Sequence, residues 1–151
     1  MFRILNQKLG EAKLSDGTII FLRVAIVDVR ETGFSPFEGI NFTVKPIGGI
    51  TARSPLELKE KVKSRPLSVG PQPPKDGWEN IDIIEQKPAM EEVIVQSSSG
   101  KEYLVKVEAE LSMVSRNINY KNEFEEPIYW ASWVNKFSWR RYESEKSKGG
   151  E

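Results

Sequence analysis

"IYWASWVNKFSWRRY", residues 128–142, decides the fold, because it can be read as a helix or as a strand and holds three of the chain's four tryptophans. At helical spacing Trp130, Trp133, Val134 and Phe137 fall on one stripe, and Pro127 suits a first helical position. At strand spacing Tyr129, Ala131, Trp133, Phe137 and Trp139 share one face, while Ser132, Lys136, Ser138 and Arg140 share the other. An internal likeness in the chain selects the strand.

"ILNQK" (4–8) resembles "IIEQK" (83–87). Each is followed by a Gly-containing turn and a long strand pattern, "SDGTIIFLRVAIVDVR" (15–30) and "SSGKEYLVKVEAELSM" (98–113). With Gly17 set over Gly100, Phe21 meets Leu104, Leu22 meets Val105, Arg23 meets Lys106 and Val24 meets Val107. The spacer before the turn is longer in the second copy. A polar loop and a further run follow in each, "INFTVKPI" (40–47) and "PIYWASWV" (127–134). The first of these runs is rich in β-formers and carries the helix-breaking Pro46, so its counterpart is read as strand too.

Alternation supports this. Val105, Val107, Ala109 and Leu111 point one way and Lys106, Glu108 and Glu110 the other, the pattern of a strand with one wet face. Ile19 to Val29 is apolar on both sides apart from Arg23 and Asp28, and is expected to be covered on both. One helix is expected over 55–64, with Ser54 as N-cap, Pro55 at the first position and Glu57 completing a capping box. Leu58 and Val62 form its apolar stripe, and Pro66 stops it. The expected fold is therefore mainly β: an antiparallel sandwich, or two small barrel-like halves related by internal duplication, with one short connecting helix. Residues 1–65 form the first repeat with its helix, 66–80 a Pro/Gly-rich linker, 81–142 the second repeat and 143–151 a charged flexible tail.

Composition narrows the chemistry. The 151 residues include 22 basic and 22 acidic side chains, so no global field favours nucleic acid or an anionic membrane. Cysteine and histidine are both absent. Disulfides, thiolate nucleophiles, thiolate zinc and the usual near-neutral base go with them. The longest apolar run, 18–29, is too short for a transmembrane helix, and the chain reads as cytoplasmic with no membrane contact. Abundant Glu and Lys without cysteine is also compatible with heat adaptation.

Few motifs carry chemistry. "SSSGK" lacks the earlier glycine and the following Ser or Thr of a phosphate loop, and precedes a strand; it reads as a hairpin turn. Glu91 with Glu92, and Glu125 with Glu126, are sequence neighbours that would face opposite ways on a strand. Only Glu108 and Glu110 share a face, about 7 Å apart, in a row that Lys106 continues. No catalytic residue, metal ligand or cofactor is assigned. The expected function is a non-enzymatic protein-interaction module, a homodimer or an accessory subunit of a larger assembly. The alternative is binding of single-stranded RNA or DNA by Lys136, Trp139, Arg140, Arg141 and Tyr142, with aromatics stacking on bases and cations on phosphates.

Overall fold

The computed structural model describes residues 2–143. Nine strands and one helix follow in order: β1 (Phe2–Lys8), β2 (Gly10–Leu14), β3 (Ile19–Gly33), β4 (Asn41–Arg53), α1 (Leu56–Val62), β5 (Trp78–Ile81), β6 (Ile83–Lys87), β7 (Ala89–Gln96), β8 (Glu102–Lys121) and β9 (Pro127–Arg141). The decisive stretch is strand, as expected. Of the tail expected over 143–151, residues 144–151 lie outside the described residues.

All ladders between these strands are antiparallel and form two sheets. One runs β4-β3-β2-β6. The other runs β1-β7-β8, with β9 along the far edge of β8 and β5 continuing past β7 on the near edge. The sheets pack face to face as a sandwich around one core, to which both halves of the chain contribute: Leu14, Ile20, Leu22, Val24 and Ile26 from one, Val93, Val95, Val105, Val107 and Leu111 from the other. Each of these rows has the period of two that a half-buried strand requires.

The path repeats. β1, β2, β3, β4 and β6, β7, β8, β9 each run short strand, second strand, tight turn, long strand, loop, long strand. In each, the first strand leaves its own set and pairs in the other sheet, β1 with β7 and β6 with β2. The two turns have the same geometry: Leu14 N–H and Ser97 N–H donate to Thr18 and Lys101 carbonyls at 2.9 and 2.8 Å. Gly17 and Gly100 take φ of 89° and 87° in them, a region that glycine enters without strain. The correspondence is one of topology and turn geometry; strand order does not by itself establish a gene duplication.

At the sheet switch the two halves touch. Gly10 opens β2 and Ala89 opens β7, and a Cβ on Gly10 would stand 2.7 Å from Ala89 N. Only glycine allows that approach. Each long strand has a β-bulge, between Ile26 and Asp28 in β3 and between Leu111 and Met113 in β8. A bulge leaves ladder groups unpaired. Gln86 on β6 satisfies both groups of Leu111, accepting from its N–H and donating to its carbonyl at 2.9 Å each. For β3, the buried Glu91 accepts from Ile26 N–H at 2.7 Å and is held by Gln7 Nε2 at 2.5 Å. The two glutamines shared by the ILNQK and IIEQK segments thus both serve the bulges.

Two expectations are corrected. Helix α1 begins at Leu56, with Pro55 as N-cap and no side-chain capping bond. Ser54 makes no cap, its Oγ accepting from Thr18 rather than from a helix N–H, and the box with Glu57 does not form because the Ser54 N–H is taken by the Glu126 carboxylate. Leu58 and Val62 are buried as expected. The second correction concerns β3, whose outer row is not covered by another layer: Ile19, Phe21 and Ala25 are half-buried and Val27 is exposed. Long side chains shield part of that row instead, with the Arg53 guanidinium 5.9 Å from the Phe21 ring centre.

Candidate interaction surface

Strand β9 runs along β8 from Tyr129 to Arg141 without a bulge of its own, so its odd-numbered side chains face the core and its even-numbered ones face outward. Tyr129, Ala131, Trp133 and Trp139 pack against the core, leaving Phe137 exposed in the same row. Trp133 lies across β4, where a Cβ on Gly48 would come 2.9 Å from its Cζ2. Trp139 meets Phe37 and Phe42 edge-on, with ring centres 6.4 and 5.7 Å apart. Its indole N–H donates to the Phe37 and Ile40 carbonyls at 3.2 and 3.1 Å.

The residues expected to bind nucleic acid are therefore split between faces. Lys136 and Arg140 are exposed on the outer side, while Trp139 is turned inward with its ring engaged by phenylalanines. Arg141 also points to the inner side, its guanidinium 5.9 Å from the Tyr103 ring centre. Tyr142 is half-buried just past the strand, its backbone N–H bonded to the Glu102 carbonyl at 2.9 Å. Lys136 and Arg140 stand on one face, and Trp139 is not beside them.

Glu108 and Glu110 do share the outer face of β8. Glu108 lies 3.4 Å from Lys106 Nζ and opposite Lys136, and Glu110 lies opposite Val134. Among the described residues no group of three His, Cys, Asp or Glu side chains is placed to hold a metal ion, and no helix is long and apolar enough to cross a membrane.

The outer face and free edge of β9 carry an open apolar patch. Trp130, Val134 and Met113 are 58%, 54% and 56% exposed, and Ser132 stands opposite Met113 in the ladder between them. Beside Trp130 is a shallow groove of about 230 Å³ lined by Trp78, Ser115 and Pro73. The linker reaches it because the Trp78 indole N–H donates to the Pro74 carbonyl at 2.7 Å. On its other side β9 has no strand partner among the described residues, so one row of backbone donors and acceptors along the strand faces outward.

Sequence reading missed a polar cluster between the sheets. Asp16, in the first turn, accepts from Tyr129 Oη at 2.7 Å and from Arg116 Nη1 at 3.1 Å. Thr18 sits 2.7 Å from the same phenol and 3.2 Å from Ser54 Oγ. Burial, aided by Asp16, pushes the Tyr129 phenol above its ordinary pKa despite the opposing bonds from Thr18 and Ser54. Burial works against the charge of Arg116, but bonds to Glu79 and Asp16 outweigh it and hold its pKa up. These residues are scattered over more than 100 positions, and only the "SDGT" turn carried a local signal. Comparison with known protein families, curated proteins and solved structures finds no match.

Proposed function

We propose that the protein is a non-enzymatic interaction module that presents the free edge and outer face of β9 to a protein partner, as a homodimer or an accessory subunit. The observation that carries this is the edge itself: a long, unbulged strand whose outer side has no strand partner among the described residues, beside exposed Trp130, Val134 and Met113. Strand addition at such an edge uses backbone hydrogen bonds for affinity and alternate side chains for specificity.

The disposition of charge agrees. The buried carboxylates hold backbone amides, Glu91 that of Ile26 and Glu126 that of Ser54. Two pairs of outer-face charges are matched, Lys13 with Glu85 at 2.9 Å and Lys106 with Glu108 at 3.4 Å. The Lys13 ammonium and the Glu85 carboxylate, bonded to each other, hold the lysine pKa up and the glutamate pKa down.

Photo-cross-linking tests the reading. A benzophenone amino acid is placed at Val134 on β9 and, separately, at Ile47 on β4. Protein adducts from Val134 that are absent from Ile47 are the expected result. Adducts from Ile47 alone, or from neither position, overturn it.

A further inference from the structure

We infer that the partner at this edge is a second copy of the chain, joined in an antiparallel ladder whose twofold axis passes through Asn135; this rests on the interaction reading above. An antiparallel strand pairing with its own copy must place one residue opposite itself on the axis, and that choice fixes every other contact. With Asn135 on the axis, Trp130 faces the partner's Arg140, Ser132 the partner's Ser138 and Val134 the partner's Lys136 on the outer side. On the inner side Trp133 faces the partner's Phe137, Ala131 the partner's Trp139 and Tyr129 the partner's Arg141. Every cation then lies opposite an aromatic or aliphatic residue, and the bulky Trp139 lies opposite an alanine.

Neighbouring registers lose this. An axis at Lys136 sets that ammonium against its own copy, which is destabilising in directly opposed pairs. An axis at Val134 sets Arg140 against Ile128 and Arg141 against Pro127, leaving no arginine opposite an aromatic residue of the partner. The ladder from Tyr129 to Arg141 would be about 40 Å long at roughly 3.3 Å per residue.

The edge is chemically prepared for addition in a way the other four are not. β9 contains no glycine, and no proline after Pro127; β1, β5 and β6 are only 7, 4 and 5 residues long, and β4 carries Pro46, Gly48 and Gly49. Short length and proline are how sheets blunt an edge.

The test uses the full chain, which contains no cysteine, so a single introduced thiol is unambiguous. The wild-type protein is sedimented up to about 100 μM, a range that brackets ordinary dimer affinities. Asn135→Cys and Ser138→Cys are oxidised in parallel. In the proposed register the 135 pair is directly opposed, within disulfide reach, while the two 138 residues are about 20 Å apart. A dimer mass, with Asn135→Cys cross-linking at least about tenfold faster, is the expected result. A monomer throughout, or equal cross-linking from Ser138→Cys, overturns the inference. If Asn135→Cys fails to fold, Arg140→Glu replaces it: loss of two cation–aromatic contacts should weaken the dimer about tenfold, and an unchanged dimer overturns the register. A monomer that still gives Val134 photo-adducts with another protein overturns the self-pairing but leaves the interaction reading in place, whereas a monomer with no adducts overturns both.

Discussion

β4 and β9 occupy corresponding places, each the outer strand of a long hairpin and each at the edge of its sheet, yet they have opposite edge chemistry. β4 lacks a backbone donor at Pro46, opposite Ile26, and narrows to Gly48 and Gly49 where the Trp133 indole lies against it. β9 keeps every donor after Pro127 and supplies that indole. The comparison teaches that one hairpin plan can make a closed edge and an open one, and that a few residues without side-chain bulk or without an N–H decide which.

The comparison is sharpened first inside the core, where the halves should be equals. Leu22 and Val105 sit at the same distance from their turn glycines and are 2% and 0% exposed. Leu22→Ala is expected to lower unfolding free energy by about 3 kcal/mol and Val105→Ala, which loses one carbon fewer, by about 2 kcal/mol. Urea unfolding followed by tryptophan fluorescence measures both. Because one core spans both halves, each variant should unfold in a single transition; two transitions would break the picture of a shared core.

Next come the bulges. Gln86 makes two bonds to Leu111 directly, whereas Gln7 acts through Glu91. Gln86→Ala should cost about 2 kcal/mol and Gln7→Ala about 1 kcal/mol, since the first strands a backbone donor and an acceptor and the second loosens a carboxylate that keeps its amide. Equal costs would mean that the two bulges are supported alike.

How much of this was legible in the sequence follows from the range of each signal. Period-two alternation is local, so β8 could be read directly, as could the turn glycines; β3 showed as an apolar run, and the strand reading of 127–141 needed the internal likeness to 40–47 because helical spacing fitted it too. Sheet membership is not local: nothing in "ILNQK" says that β1 pairs with β7 across the molecule. The capping box failed for the same reason, because Glu126, 72 positions away, took the Ser54 amide that Glu57 would have bound. At the candidate surface the aromatic content of β9 was plain, but assigning Trp139 to an exposed platform required knowing that Phe37 and Phe42 would close over it. The free edge had no sequence signal at all, since an edge is defined by what fails to pair.

The turns themselves differ in setting, and the effect there is smaller. At the first, Asp16 and Thr18 hold the half-buried Tyr129; at the second, Ser98 binds Glu31 in the open, at 3.1 and 2.8 Å. Tyr129→Phe should cost about 1 kcal/mol, and Glu31→Ala under about 0.5 kcal/mol. The phenol also predicts a pH limb. A folded pKa raised above the unfolded value of about 10 leaves the stability contribution intact below that pH, and the contribution is lost as the unfolded chain ionises above it. The wild type should lose stability above pH 10 more steeply than Tyr129→Phe, as thermal melts at pH 8 and 10.5 would report. Parallel profiles would place the cost elsewhere.

The smallest expected effect tests the two faces of β9 against each other. A stacking platform needs an exposed ring beside its cations, because each stacked base contributes about 1–3 kcal/mol only where the ring face is free. Trp139 is turned inward against Phe37 and Phe42, and the exposed Trp130 stands about 20 Å along the strand from Lys136 and farther from Arg140. Titration with mixed-sequence single-stranded RNA should therefore leave tryptophan emission unchanged at low and at physiological salt. Quenching that weakens with salt and disappears in the Arg140→Ala, Arg141→Ala double variant would reverse the assignment. It would mean that the loop holding Phe37 opens to release Trp139, and that β9 serves nucleic acid through its inner face as well as protein through its edge.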